Sequence, residues 1–111
     1  MENCIFCKII AGEIPSARVY EDEKMIVIND IAPKAKKHYL CIPKEHFALL
    51  SEMDEGRAAV LAHCFTVAAK NHVAWGLGKG YRAIINQGAD GGQAVPHLHI
   101  HLLGGEPLKD F

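Results

Sequence analysis

The residues best equipped for chemistry lie in one run, Val95-Pro96-His97-Leu98-His99-Ile100-His101-Leu102-Leu103. An imidazole with a pKa of about 6.5 can act as nucleophile, base or acid near neutrality. Alternation of histidine with aliphatic residues has the period of a β-strand. His97, His99 and His101 are therefore expected on one face, and Leu98, Ile100 and Leu102 on the other. At a rise of roughly 3.3 Å per residue, neighbouring rings stand about 6.6 Å apart, too far for all three to hold one ion. Divided roles follow: one ring attacks a phosphorus atom while another donates to the developing charge. The competing chemical reading is a His-x-His zinc pair with an open position for water.

A glycine-rich stretch, Asn86-Gln87-Gly88-Ala89-Asp90-Gly91-Gly92-Gln93-Ala94, leads straight into that run. Gly88, Gly91 and Gly92 are expected to reach conformations closed to other residues, turning backbone N–H groups inward as an anion cradle. An ordinary turn is the plainer alternative. No Gly-Lys-Ser/Thr follows, so this is not a P-loop. Near the start, Cys4 and Cys7 form a Cys-x-x-Cys pair. Two buried thiols, a redox dithiol and half of a Cys2His2 zinc site all remain open at this point.

These groups need elements to position them. Residues 4–12 suggest a short apolar helix stopped near Gly12 and Pro15. Strands are expected over 17–22 and 25–30 as a hairpin, over 37–43 ended by Pro43, over 81–88, and over 97–104. Between the third and fourth, Val60, Leu61, Cys64, Val67, Ala68 and Trp75 recur at helical spacing. That predicts a helix from Asp54 to about Trp75, capped by Asp54 or Ser51 and ended by Gly76. His63 and His72, nine residues apart on it, would face opposite ways and are expected at the surface or an interface. The fold class expected is α+β: a five-stranded antiparallel sheet with one long helix and a short N-terminal helix.

With 111 residues, the chain is expected to form a single domain spanning 1–111, and a hydrophobic half makes it globular. The net charge is −1, and the densest basic group is only Lys34, Lys36 and Lys37, which argues against nucleic-acid polymers and membrane surfaces as partners. No secretory leader or membrane-length apolar run is visible, so a soluble protein in a reducing compartment, the cytoplasm, is expected.

The motif His-φ-His-φ-His-φ-φ, with φ apolar, resembles the signature of the histidine triad (HIT) superfamily. Residues 4–23, 29–46 and 86–105 are similar in the same order, most of all to the Hint branch of homodimeric purine-nucleotide-binding proteins, many of them phosphoramidate hydrolases. The resemblance implies that His99 is the nucleophile toward the α-phosphorus of a nucleoside 5′-phosphoramidate or adenylate. His101 would hold a phosphate oxygen, with His38 in the hydrogen-bond network behind. Asn86 and the backbone around Gly92, Gln93, Ala94 and Val95 would contact the phosphate, and Asp30 the ribose hydroxyls. Ile5, Phe6, Ile9, Ile28 and Ile31 would surround the purine, and Asn29 would touch the nucleoside pocket.

It further implies a structural zinc on Cys4, Cys7, His46 and His97, with no catalytic metal required. Ala94 stands where several relatives carry serine, and the sequence ends in Gly-Gly-Glu-Pro-Leu-Lys-Asp-Phe without the longer tail of some members. Two alternatives remain: a dinucleoside polyphosphate hydrolase, or a non-catalytic nucleotide-binding or regulatory module.

Overall fold

Short polar side chains set the turns that the sheet needs. In the computed structural model, which describes residues 3–110, Asp22 Oδ1 accepts the N–H groups of Lys24 and Met25 at 2.8 and 3.1 Å. That closes the hairpin between β1 (Arg18–Glu21) and β2 (Met25–Asn29). β3 (Lys37–Pro43), β4 (Tyr81–Ile84) and β5 (Ile100–Gly104) complete one antiparallel sheet in the order β1-β2-β3-β5-β4. The expected α+β class is the observed one.

Two helices cover the sheet's two faces. α2 (Glu55–Asn71) begins at Asp54, whose Oδ1 accepts the Arg57 N–H at 2.8 Å, so Asp54 and not Ser51 is the cap. Its regular part stops before the expected Trp75. Turns continue instead, with Trp75 N–H bonded to Asn71 O and Leu77 N–H to His72 O, and Gly76 at φ +79° allows the exit. Met25, Val27, Tyr39, Cys41, Ile100 and Leu102 pack against α2's Cys64, Val67 and Ala68 and against Trp75 and Leu77. The buried Tyr39 hydroxyl donates to Trp75 O at 2.7 Å, which ties the helix exit to the sheet. On the other face, Ile26, Ile28, Leu40 and Ile42 meet Cys4, Phe6 and Ile9 of the segment around α1 (Ile5–Ile10). Ile26 and Ile42 are fully buried, and each such aliphatic side chain stabilises the fold by roughly 1.5–3 kcal/mol.

Two strand boundaries differ by three residues or more from the sequence expectation. β4 ends at Ile84 rather than 88, because Gln87 turns away to accept the Leu50 N–H at 2.6 Å. The histidine run is strand only from Ile100, since pairing between β3 and β5 stops at Cys41–Ile100. Pro43 has no N–H to extend the ladder, its carbonyl is taken by His97 Nε2 at 2.8 Å, and the Leu98 N–H goes to Phe47 O at 2.7 Å. His63, expected at the surface or an interface, pairs through Nε2 with Asp22 and fastens α2 to the first hairpin. His72 stacks on Tyr81, with centroids 5.8 Å apart.

Candidate active site and metal centre

Strand parity decides which side carries the chemistry. His38 precedes Leu40 and Ile42 on the α1 face of β3, and His101 pairs with Leu40, so both rings look toward that face. His99 follows the bend at 95–97 and is buried, with only 6% of its surface exposed. Phe6 holds it from α1 in an edge-on contact, with centroids 5.0 Å apart.

The tautomers follow from the partners. His99 Nδ1 lies 2.7 Å from the His97 carbonyl, which can only accept, so Nδ1 carries the proton and Nε2 the lone pair. His38 Nδ1 accepts the Lys34 N–H at 3.0 Å, so its proton sits on Nε2, 2.9 Å from His101 Nδ1. His101 Nδ1 therefore accepts, and its Nε2 bears the remaining N–H. Burial, helped by His99 and His38 alongside, pushes His101 down to about 4. Burial also lowers His38, against the opposing pull of Asp30. Near neutrality the His38–His101 pair is uncharged, and the His99 Nε2 lone pair stands beside a ring with a donor. That combination suits attack on an electrophile whose oxygen needs a hydrogen bond.

A cleft of about 360 Å³ opens over these rings, lined by Asp30, Ala32, Lys34, His38, Ile84, Asn86, Gly92, Ala94, His99, His101 and Leu103. Seven of the residues singled out from the sequence thus converge: Asp30, His38, Asn86, Gly92, Ala94, His99 and His101. Others fall elsewhere for physical reasons. Phe6, Ile9 and Ile28 are core residues, 4–7% exposed, whereas Ile5 and Ile31 stand out at 44% and 97%. None of the five is among the residues lining the cleft, and Phe6 reaches it through its contact with His99. Asn29 shares the parity of Met25 and Val27, so its strand position belongs to the α2 face. Gln93 is occupied as a staple, its Nε2 donating to Ala48 O and its Oε1 accepting the Gly88 N–H. Val95 packs against the α1-side core.

The glycine loop is built differently from a simple anion nest. Gly88 and Gly92 have φ of +69° and +76°, as expected, but Gly91 is not in that region. It is glycine because a Cβ there would stand 2.1 Å from Gln87 O. The Gly92 N–H is spent on Ala89 O and that of Gln93 on Gly88 O, so neither amide is left to meet an anion. Ala32, Lys34, Ile84 and Leu103 were missed as cleft residues. Leu103 was findable from strand parity with His101; Ile84 required the pairing of β4 with β5, and Lys34 gave no signal in the sequence.

Beside this cleft, Cys4 Sγ lies 3.3 Å from His97 Nδ1, Cys7 Sγ lies 3.3 Å from His46 Nδ1 and 3.6 Å from His97 Nδ1, and the two Nδ1 atoms are 3.1 Å apart. All four ligand atoms lie within 4.8 Å of one another. A tetrahedral zinc site requires edges of about 3.4 Å between nitrogens and about 3.6 Å between nitrogen and sulfur, so the set fits such an ion closely. The His97 Nε2–H···O=C bond to Pro43 fixes the lone pair on Nδ1, as a ligand requires. Cys4 Sγ also accepts the Cys7 N–H at 3.4 Å at the start of α1, which orients the pair. The cluster can hold a structural zinc. Asp30, His38 and His101 also converge, but the Lys34 N–H at His38 Nδ1 forces a proton onto the Nε2 that would have to bind metal. Cys41 and Cys64, pushed up to about 12 by burial, are packing thiols.

A HIT domain family model matches residues 11–108. An uncharacterised HIT-like protein of Synechococcus elongatus is 47% identical over 107 residues, covering 96% of this chain and 94% of the relative. Among solved structures, a HIT family hydrolase from Clostridium thermocellum superposes with a TM-score of 0.94 at 48% identity, covering 100% of this chain and 97% of the other. A histidine triad nucleotide-binding protein from Candida albicans gives 0.81 at 35% identity, covering 98% and 86%.

Proposed function

The chain belongs to the HIT domain family, and from that premise we propose that it is a nucleotidyl hydrolase. Its substrates are purine nucleoside 5′-phosphoramidates or related adenylates, cleaved at the P–N or acyl-phosphate bond. The observation that carries this is the fixed tautomer of His99, whose Nδ1–H is held by the His97 carbonyl so that Nε2 is a nucleophile in the cleft.

The Nε2 lone pair attacks the α-phosphorus, the P–N bond breaks, and the departing nitrogen takes a proton from solvent, since Ala94 has none to offer. His101 Nε2–H donates to a phosphoryl oxygen as charge develops there, and Asn86 with the Ala94 and Val95 amides completes the cradle. Water then attacks the nucleotidyl-imidazole, releasing the nucleoside monophosphate and restoring His99. Asp30 takes the ribose hydroxyls and apolar side chains flank the purine. A zinc ion on Cys4, Cys7, His46 and His97 would be coordinatively full, and so supplies a cross-link between the N-terminal segment and the histidine run. The proposal takes residues 1–111 as one HIT domain, acting as a cytoplasmic homodimer.

Incubation with an adenosine 5′-phosphoramidate, diadenosine tetraphosphate and AMP tests the assignment. Wild-type protein should release AMP and amine from the first. His99→Ala should lose about three orders of magnitude or more in kcat while still binding AMP. Full turnover by that variant overturns the assignment. Preferred cleavage of the dinucleotide moves the substrate class. AMP binding without any turnover leaves a binding module, the reading that the hydroxyl-free Ala94 favours.

A further inference from the structure

The His38 ring has one N–H, which donates to His101, and a carboxylate beside it. Its Nδ1 is committed to the Lys34 amide at 3.0 Å, so the only proton is on Nε2. That Nε2 is 2.9 Å from His101 Nδ1 and 3.4 Å from Asp30 Oδ2. Asp30 is itself oriented, because Oδ1 accepts the Ala32 N–H at 2.8 Å and leaves Oδ2 as the oxygen open to both His38 and the cleft. We propose that Asp30 is a positioning residue for His101. Through its charge beside the His38–His101 hydrogen bond, it makes the state of the phosphate-holding ring depend on whether a ribose diol occupies the carboxylate.

This rests on the nucleotide reading above and adds to it a coupling between sugar and phosphate recognition. A 2′,3′-diol donating to Oδ2 solvates the carboxylate charge. The neutral pair, with the His38 N–H on His101 Nδ1, is then favoured, and His101 Nε2–H is held as a donor into the cleft. Without the diol, the bare carboxylate charge favours an imidazolium at His101. The groups facing this pair are few. His101 meets His99, His38 and Asp30, and its strand partners Leu40 and Ile84 do not titrate. His38 meets Asp30, Lys34 and His101.

The test uses the full chain labelled with 15N-histidine, whose ring nitrogens report protonation and tautomer directly, saturated with AMP or with 2′,3′-dideoxy-AMP. Phosphate and base are common to both complexes, so only the diol differs. The apparent pKa of His101 should be about one unit lower with AMP, a tenfold lower proton affinity. Asp30→Asn should erase the difference, and Asp30→Glu, which keeps the charge, should preserve its sign. Equal values in the two wild-type complexes overturn the coupling while leaving nucleotide binding intact. Failure of both nucleotides to bind overturns the nucleotide reading, and the coupling with it.

Discussion

At the scale of single residues, hydrogen-bond partners assign work that side-chain type leaves open. His97, His99 and His101 are alike in the sequence, yet one is aimed at thiols, one carries a lone pair into the cleft and one accepts a proton from His38. Their burial has a thermodynamic consequence. His101 falls from the ordinary 6.5 to about 4, and His38 falls in the same direction. Above about pH 7 both rings are neutral whether the chain is folded or not. As pH drops through 6.5, the unfolded chain takes up protons that the folded one refuses, so stability declines until His101 itself titrates near 4. Urea unfolding at pH 7 and pH 4.5 should show a loss on the order of 1–3 kcal/mol from this source, allowing for solvent access to His101. His101→Gln should flatten that part of the curve. The residue types told of histidine chemistry, but tautomers depend on carbonyls and amides, which every residue has and no sequence distinguishes.

Among elements, the glycine loop and α1 do the positioning. Gly91→Ala places a methyl against Gln87 O, a backbone atom that cannot swing aside. Loss of about 1–3 kcal/mol in unfolding free energy and a raised KM for nucleotide are expected, measured by denaturation and steady-state kinetics. Gly12→Ala, with open space around it and only its φ of +80° to strain, should cost about 1–2 kcal/mol and leave KM unchanged. The elements themselves were largely legible. β3 falls on 37–43 as expected, because its period and Pro43 agree. The misjudged ends, at β4, β5 and α2, are where a side chain or carbonyl from a distant segment takes over the backbone's bonds, as Gln87 and Pro43 do. The division of the apolar set, with Phe6, Ile9 and Ile28 closing a second core and Ile5 and Ile31 exposed, is visible only once the sheet is known to be covered on both faces.

At the scale of the whole molecule, the four-ligand cluster joins what the two apolar cores leave separate. Cys4 and Cys7 come from the N-terminal segment, His46 from the chain after β3, and His97 from the bend before β5. Elemental analysis of protein purified without chelators should find about one zinc per chain. Stripping it should lower the thermal midpoint by several degrees, and readdition should restore it. Cys7→Ser should act likewise, and both forms should keep part of their turnover. Residue 97 meets this cluster with its ring and meets His99 with its carbonyl. Every amino acid has that carbonyl, so the instruction that tells His99 where to keep its proton is written in the backbone and survives any replacement of the ring. The candidate metal centre and the proposed catalysis meet at one residue and are separable: a chain with another side chain at 97 would forgo the ion and still be able to fix the His99 tautomer.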